Sequence, residues 1–246
     1  MEPKGCLPAI QRTGEVCLLL QQPNSTQTND INLTTGMDIL LKYFPDLTPL
    51  QQKQYAACFE LYKEWNEKIN VISRKDIDSL FEKHVLHSLA ISKFIAFRPD
   101  TQVLDIGTGG GFPGIPLSIF FPEVSFTLCD SIAKKITVAE NISQSLELQN
   151  TDFVIGRVEQ LKEKFDFIVS RAVAPCEQLY RWTQSYIEEK NSNPKFNGYL
   201  LLKGGDLKEE IKALKQVNKK LIIEEYPLSN WFDEPFFETK KLLYIY

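Results

Sequence analysis

Apolar residues recur at two different periods along this 246-residue chain, and the change of period divides it. From Met37 to about Phe97 the spacing is helical. Thr48 and Pro49 suit the N-cap and first turn of a long helix. Tyr55, Phe59, Tyr62, Trp65 and Ile69 then repeat every three or four residues, an aromatic stripe that reads as core rather than as a base-stacking surface. Residues 76–97 predict two shorter helices. From residue 98 onward, short apolar runs alternate with amphipathic stretches. The runs at 103–106, 125–130, 152–155, 165–170, 199–203, 221–226 and 241–246 predict strands. Helices are predicted over 115–121, 131–148, 175–189 and 206–220. Strands interleaved with helices predict an α/β chain: a Rossmann-like, doubly wound, mostly parallel sheet of seven strands, its last two paired antiparallel at the sheet edge. Three segments follow: a helical subdomain at 37–97, the α/β domain at 98–246, and residues 1–36. These first residues are rich in Gln, Asn, Thr and Pro without either period, which predicts a disordered extension or an over-long start.

The junction of the first α/β strand with its helix carries the chemistry. Asp105 ends an apolar run, and Gly107, Gly109, Gly110, Gly111 and Gly114 follow within nine residues. Such a strand, glycine loop and helix form the nucleotide-binding corner of a doubly wound sheet. Two ligand classes compete for it. Gly109-x-Gly111-x-x-Gly114 fits the dinucleotide fingerprint, but Asp105 would then face a diphosphate with like charge. S-adenosylmethionine has no phosphate and presents a cationic ammonium, which an acidic residue before the first glycine suits better. Asp130 ends the next strand, 25 residues on, where a carboxylate takes ribose hydroxyls; it serves either ligand.

The segment from Leu104 to Leu117 also resembles the loop of the glucose-inhibited division protein B family, the bacterial enzymes that methylate guanine N7 in 16S ribosomal RNA. Asp130-Ser131-Ile132-Ala133-Lys134-Lys135, Gly156-Arg157-Val158-Glu159 and Ser170-Arg171-Ala172 resemble further segments of that family in order and spacing. So do Trp65–Ile72 and His84-Val85-Leu86-His87-Ser88-Leu89 in the helical front. The resemblance spans residues 37 to about 205 and departs at His87, where relatives commonly carry aspartate. It implies a class I S-adenosylmethionine-dependent methyltransferase fold. The cofactor would be held by Asp105, Gly107, Gly109, Gly111, Phe112, Asp130, Val158, Glu159 and Arg171. Arg171, directly after the fourth strand, is the side chain expected to matter most outside the loop, holding the methionine carboxylate, guanine O6 or a phosphate. Arg74, Lys75 and Lys203 are candidates for RNA phosphates. The partner implied is 16S ribosomal RNA, free or in a small subunit or its assembly intermediate.

Composition narrows the field further. No apolar run approaches the ~20 residues of a membrane span. Five scattered cysteines without a C-x-x-C pair, and only two histidines (His84 and His87), supply no metal cluster and suit a reducing, cytoplasmic setting. A net charge of −4 weighs against general nucleic-acid binding, so RNA must meet a local basic patch. The helical front, with eight acidic and eight basic residues, is no cationic clamp. Guanine N7 carries an in-plane lone pair and no proton, so its methylation needs no general base, consistent with the missing acid–base pair. A methyltransferase on another acceptor, an NAD-dependent dehydrogenase and a non-catalytic RNA-binding factor stay open on sequence alone. No interface stripe marks the chain as other than a monomer.

Overall fold

The computed structural model describes residues 29–171 and 173–246, with 29–35 by their backbone alone. Seven strands form one sheet: β1 Gln102–Ile106, β2 Ser125–Asp130, β3 Thr151–Ile155, β4 Phe167–Arg171, β5 Gly198–Gly204, β6 Ile223–Pro227 and β7 Lys240–Ile245. Their order is β3-β2-β1-β4-β5-β7-β6, with β7 antiparallel to both neighbours and every other pair parallel. The antiparallel pairing of β6 with β7 at this end of the sheet matches expectation, with β7 between β5 and β6 and β6 as the edge strand there. The chain winds outward from β1 to β3, then returns to β4 beside β1. That reversal opens a crevice beyond the carboxyl ends of β1 and β4, where ligands of such sheets bind.

Among the described residues, seven α-helices flank the sheet: α1 Asn29–Tyr43, α2 Pro49–Lys68, α3 His87–Phe94, α4 Gly114–Phe120, α5 Ala133–Ser145, α6 Cys176–Thr183 and α7 Lys208–Val217. Thr48 caps α2 as predicted, its Oγ1 accepting from Gln51 N at 3.3 Å while Gln51 Oε1 accepts from Thr48 N at 2.9 Å. Gln51 Nε2 also donates to Ile119 O and Phe120 O, closing the carboxyl end of α4. The aromatic stripe of α2 is core, with Tyr55, Phe59 and Tyr62 buried in one cluster that runs on through α3, α4 and the β strands. The helical front and that face of the sheet therefore share one core. The opposite face carries α6 and α7 over a second cluster that includes Leu104, Ile168 and Leu201.

Three boundaries differ from the pattern-based reading. Helix α1 begins at Asn29, inside the span read as lacking periodicity; the remainder of that span, residues 1–28, lies outside the described residues. The predicted helix over 175–189 stops at Thr183. There Thr183 Oγ1 donates to Leu179 O and meets the Tyr199 hydroxyl at 3.1 Å, and Ile187 is drawn into a bridge with Phe165 ahead of β4. Residues 76–97 form a 3-10 turn at Ile77–Ser79, a wide π-helical stretch at Phe81–Leu86, and then α3. Such wide turns concentrate at functional sites. Among the described residues, no helix is long and apolar enough to cross a membrane.

Candidate active site

The glycine loop after β1 is tied to the end of β2. Gly107 N and Thr108 N donate to Cys129 O at 2.8 and 3.1 Å, and Gly109 N donates to Asp130 Oδ2 at 3.0 Å. Asp130 Oδ1 accepts from Ile132 N at 2.9 Å, so this carboxylate locks both sides of the crevice. Two glycines are required for different reasons. Gly107, at φ +64°, would place a Cβ 2.3 Å from Val173 Cγ2, so a side chain there would break the contact between the loops after β1 and β4. Gly109, at φ +58°, has nothing within 4 Å of that position, and a Cβ would project into open space.

That space belongs to a cleft of about 710 Å³ across the carboxyl ends of β1 to β4. Of the residues expected to bind the cofactor, Gly107, Gly109, Phe112, Asp130, Val158, Glu159 and Arg171 line it, and Asp105 and Gly111 do not. Asp105 was expected to face the ligand, but it is fully buried beneath the loop. Its Oδ2 accepts from Thr108 Oγ1 at 2.7 Å and Gly114 N at 2.8 Å, while Oδ1 has no hydrogen-bond partner. Burial pushes its pKa up to about 7. Asp105 is thus a loop organiser here, because a carboxylate between two buried strand residues can reach only the turn it supports.

Arg171, at the end of β4, is fixed by groups from the helical front. One guanidinium nitrogen meets His84 Nδ1 at 2.9 Å and another donates to Lys83 O at 3.3 Å. Arginine has no acceptor, so His84 Nδ1 must be the unprotonated nitrogen. Burial, and then the Arg171 charge, lower the His84 pKa to about 3, keeping the ring neutral. Burial lowers the Arg171 pKa to about 10, which leaves it cationic at neutral pH. The Arg171 guanidinium carbon lies 5.0 Å from the centre of the Phe112 ring. Tyr62 and His84 pack on Phe112 at 4.6 and 5.2 Å, and Tyr62 Oη donates to Gly110 O at 2.8 Å. The aromatic stripe of α2 thereby props the glycine loop from below.

The RNA candidates separate. Arg74 and Lys75 are exposed in the turn that follows Val71, a cleft residue. Lys203 requires correction: its side chain is only 10% exposed, and Nζ is taken by Glu210 Oε2 at 2.9 Å and Ala174 O at 2.6 Å. It pins the turn between β4 and α6 instead of facing RNA. His84, Val71, Lys135, Arg157 and Trp182 belong to the site or its wall without having been singled out as site residues. His84 sits 87 positions from the arginine it orients, and no local pattern carries that pairing. His87, where the sequence departs from its relatives, is buried between Phe236 and Phe237, away from the cleft wall. Among the described residues no group of three His, Cys, Asp or Glu is gathered for a metal.

The profile of the rRNA small subunit methyltransferase G family matches residues 51–231, which include most of α2, the glycine loop, Asp130 and Arg171. The chain belongs to this family. Ribosomal RNA small subunit methyltransferase G of Bacteroides thetaiotaomicron is 53% identical over 208 residues, covering 85% of this chain and 98% of that one. The Cytophaga hutchinsonii protein of the same name is 50% identical over 209 residues, covering 85% and 99%. Among solved structures, TYW2 of P. horikoshii aligns over 66% of this chain and 61% of its own, at 12% identity and a TM-score of 0.49. The family match reaches from the helical front to the edge strand β6 of the seven-stranded, mostly parallel sheet.

Proposed function

We propose that this chain transfers the methyl group of S-adenosylmethionine to N7 of a guanine in 16S ribosomal RNA. The observation that carries the reading is one cleft joining the Gly109–Asp130 junction to a cationic Arg171 held by a neutral histidine. The residues fit the cofactor. Open space above Gly109 accepts a ligand where a side chain would intrude, and Asp130 offers its carboxylate at the position that takes a ribose diol. Val158 and Glu159 flank the adenine end, and Phe112 closes the floor. Asp105 acts through the loop alone, holding Thr108 and Gly114 in place beneath the ligand.

When bound, S-adenosylmethionine supplies an electrophilic methyl group on a sulfonium. The chain's own work is to position and to exclude water. Arg171 retains guanidinium hydrogens beyond those given to His84 and Lys83, and these orient a carboxylate or the guanine O6 edge. His84, with a pKa near 3, neither gives nor takes a proton at neutral pH, and N7 asks for neither. Arg74 and Lys75, exposed beside Val71, hold RNA phosphates at the mouth. The protein works in the cytoplasm as a monomer on the small subunit or an assembly intermediate of it.

The test uses purified protein, methyl-labelled S-adenosylmethionine and small subunits from cells lacking this activity. Label recovered as 7-methylguanosine at one position supports the reading. Intact cofactor binding with no label in RNA would move the activity to another acceptor.

A further inference from the structure

The cleft has two walls that come from different halves of the molecule. Val71 and Phe112 rise from the core shared with the helical front, next to Arg171 and to the exposed Arg74 and Lys75. The other wall comes from the opposite face of the sheet, where Val158 is buried in a cluster against which Trp182 packs. Helix α6 lies against the Val158–Gln160 turn, and its inner face is tied to β5 through Tyr199. Thr183 faces inward, its Oγ1 3.1 Å from Tyr199 Oη, while Arg181 faces outward and pairs with Glu177 of the same helix at 3.0 Å. Trp182, between these two residues, is half-buried and lines the cleft. Trp65 and Trp231 pack on the first core instead, so among the three tryptophans only Trp182 lines the cleft.

We propose that Trp182 is a cofactor-positioning residue that covers the adenine of S-adenosylmethionine from the side opposite the glycine loop. The inference rests on the methyltransferase reading above and adds a residue and a subsite to it. The wall that carries Trp182 also carries Val158 and Glu159, beyond Asp130, whereas the guanine must enter on the side of Arg171 and Phe112. An indole offers a flat, polarisable face to an uncharged purine, and truncating such a stacking partner weakens binding roughly five- to a hundredfold.

The experiment titrates wild type, Trp182→Phe and Trp182→Ala with S-adenosylhomocysteine and with 5′-methylthioadenosine, by calorimetry and by tryptophan emission. In the wild type both ligands should change the emission. In Trp182→Phe that change should vanish while affinity stays within about threefold, because a phenyl face still stacks. In Trp182→Ala both ligands should lose about tenfold or more, in equal proportion, with the KM for ribosomal subunits unchanged. If Trp182→Ala does not fold, the emission and affinity of Trp182→Phe decide alone. Unchanged affinity in Trp182→Ala, an emission change that persists in Trp182→Phe, or a defect confined to the KM for RNA would overturn the assignment. A wild type that binds neither ligand would instead defeat the methyltransferase reading itself, and this inference with it.

Discussion

Replacing Arg171 by alanine should separate catalysis from folding. The guanidinium gives hydrogen bonds to His84 Nδ1 and Lys83 O and covers the Phe112 ring at 5.0 Å. Hydrogen bonds from a charged donor contribute about 1.5–3 kcal/mol each, and each buried acceptor left unpaired costs about 1–3 kcal/mol. Against that loss, the variant no longer carries a cation in a site where burial already depresses its pKa, and removing such a charge is itself stabilising. That relief offsets only part of the loss, so the melting temperature should fall by several degrees while the fold persists. Turnover has no such compensation, because the remaining donors aimed into the cleft are lost outright. One to two charge-assisted contacts, about 3 kcal/mol, correspond to roughly a hundredfold in kcat/KM. The assay is initial-rate methyl transfer to unmodified small subunits at varied RNA and cofactor, with thermal unfolding in parallel. Arg171→Lys keeps the charge but not the fork and should recover only part of the rate. In Arg171→Ala the pKa of His84, followed by NMR, should rise as its cationic neighbour disappears. A kcat/KM within threefold of wild type would refute the role given to Arg171, as would an activity loss fully explained by unfolding.

Four other outcomes follow from the same geometry. Gly107→Ala combines left-handed strain with a 2.3 Å overlap on Val173 and should cost about 3 kcal/mol, lowering the melting temperature by about 6–12 °C. Gly109→Ala meets no neighbour, so it should lose only ~1 kcal/mol of stability while weakening S-adenosylhomocysteine at least tenfold; normal ligand affinity would remove the loop from the cofactor site. Asp105 keeps its proton in the folded state up to about pH 7 but loses it near 3.8 once unfolded, so its contribution to stability declines as pH rises through that window. Urea unfolding at pH 5 and 8 should therefore show wild type losing ground to Asp105→Asn with rising pH, and a pH-independent difference would refute the burial argument. Lys203→Met breaks a largely enclosed pair with Glu210 and should destabilise by about 1–3 kcal/mol without changing the KM for RNA, whereas a change in KM alone would restore Lys203 as a phosphate contact.

What the sequence disclosed and what it hid differ by the range of the interactions. The seven strands, Thr48 as N-cap with Pro49 behind it, and the loop's dependence on glycine are local, set by period, cap chemistry and φ. Asp130 was legible because the strand–helix–strand step puts it at a fixed distance from the first loop. The end of α6 was not, since a side chain back-bonding at Thr183 and a bridge between Phe165 and Ile187 outweighed its helical periodicity. Asp105 was legible as important but not in its orientation, because β1 is buried from Val103 to Ile106 and offers no exposed face to infer. Lys203 read as a free cation until the fold brought Glu210 onto it. His84 was the largest omission. Its partner is distant in sequence, and a histidine in an apolar helix has the same local signature whether it packs or orients an arginine.

The chemistry proposed for this cleft moves a positive charge without creating one. The methyl leaves a sulfonium and the charge reappears on the base, so the surroundings need to hold their own charges constant while the reacting atoms approach. His84 and Arg171 satisfy that requirement as a pair. Burial holds the imidazole neutral down to about pH 3 and leaves the guanidinium cationic up to about pH 10, so neither changes state anywhere near neutrality. Each also enforces the other's state: a donor-only guanidinium needs an unprotonated Nδ1, and a second cation at His84 would expel the first. The π faces of Phe112 and Tyr62 beneath them add a surface that tolerates positive charge without titrating. A general base would be idle in such a site. The neutral histidine is there because the arginine must be aimed, and an acceptor that never charges is the group that can aim it.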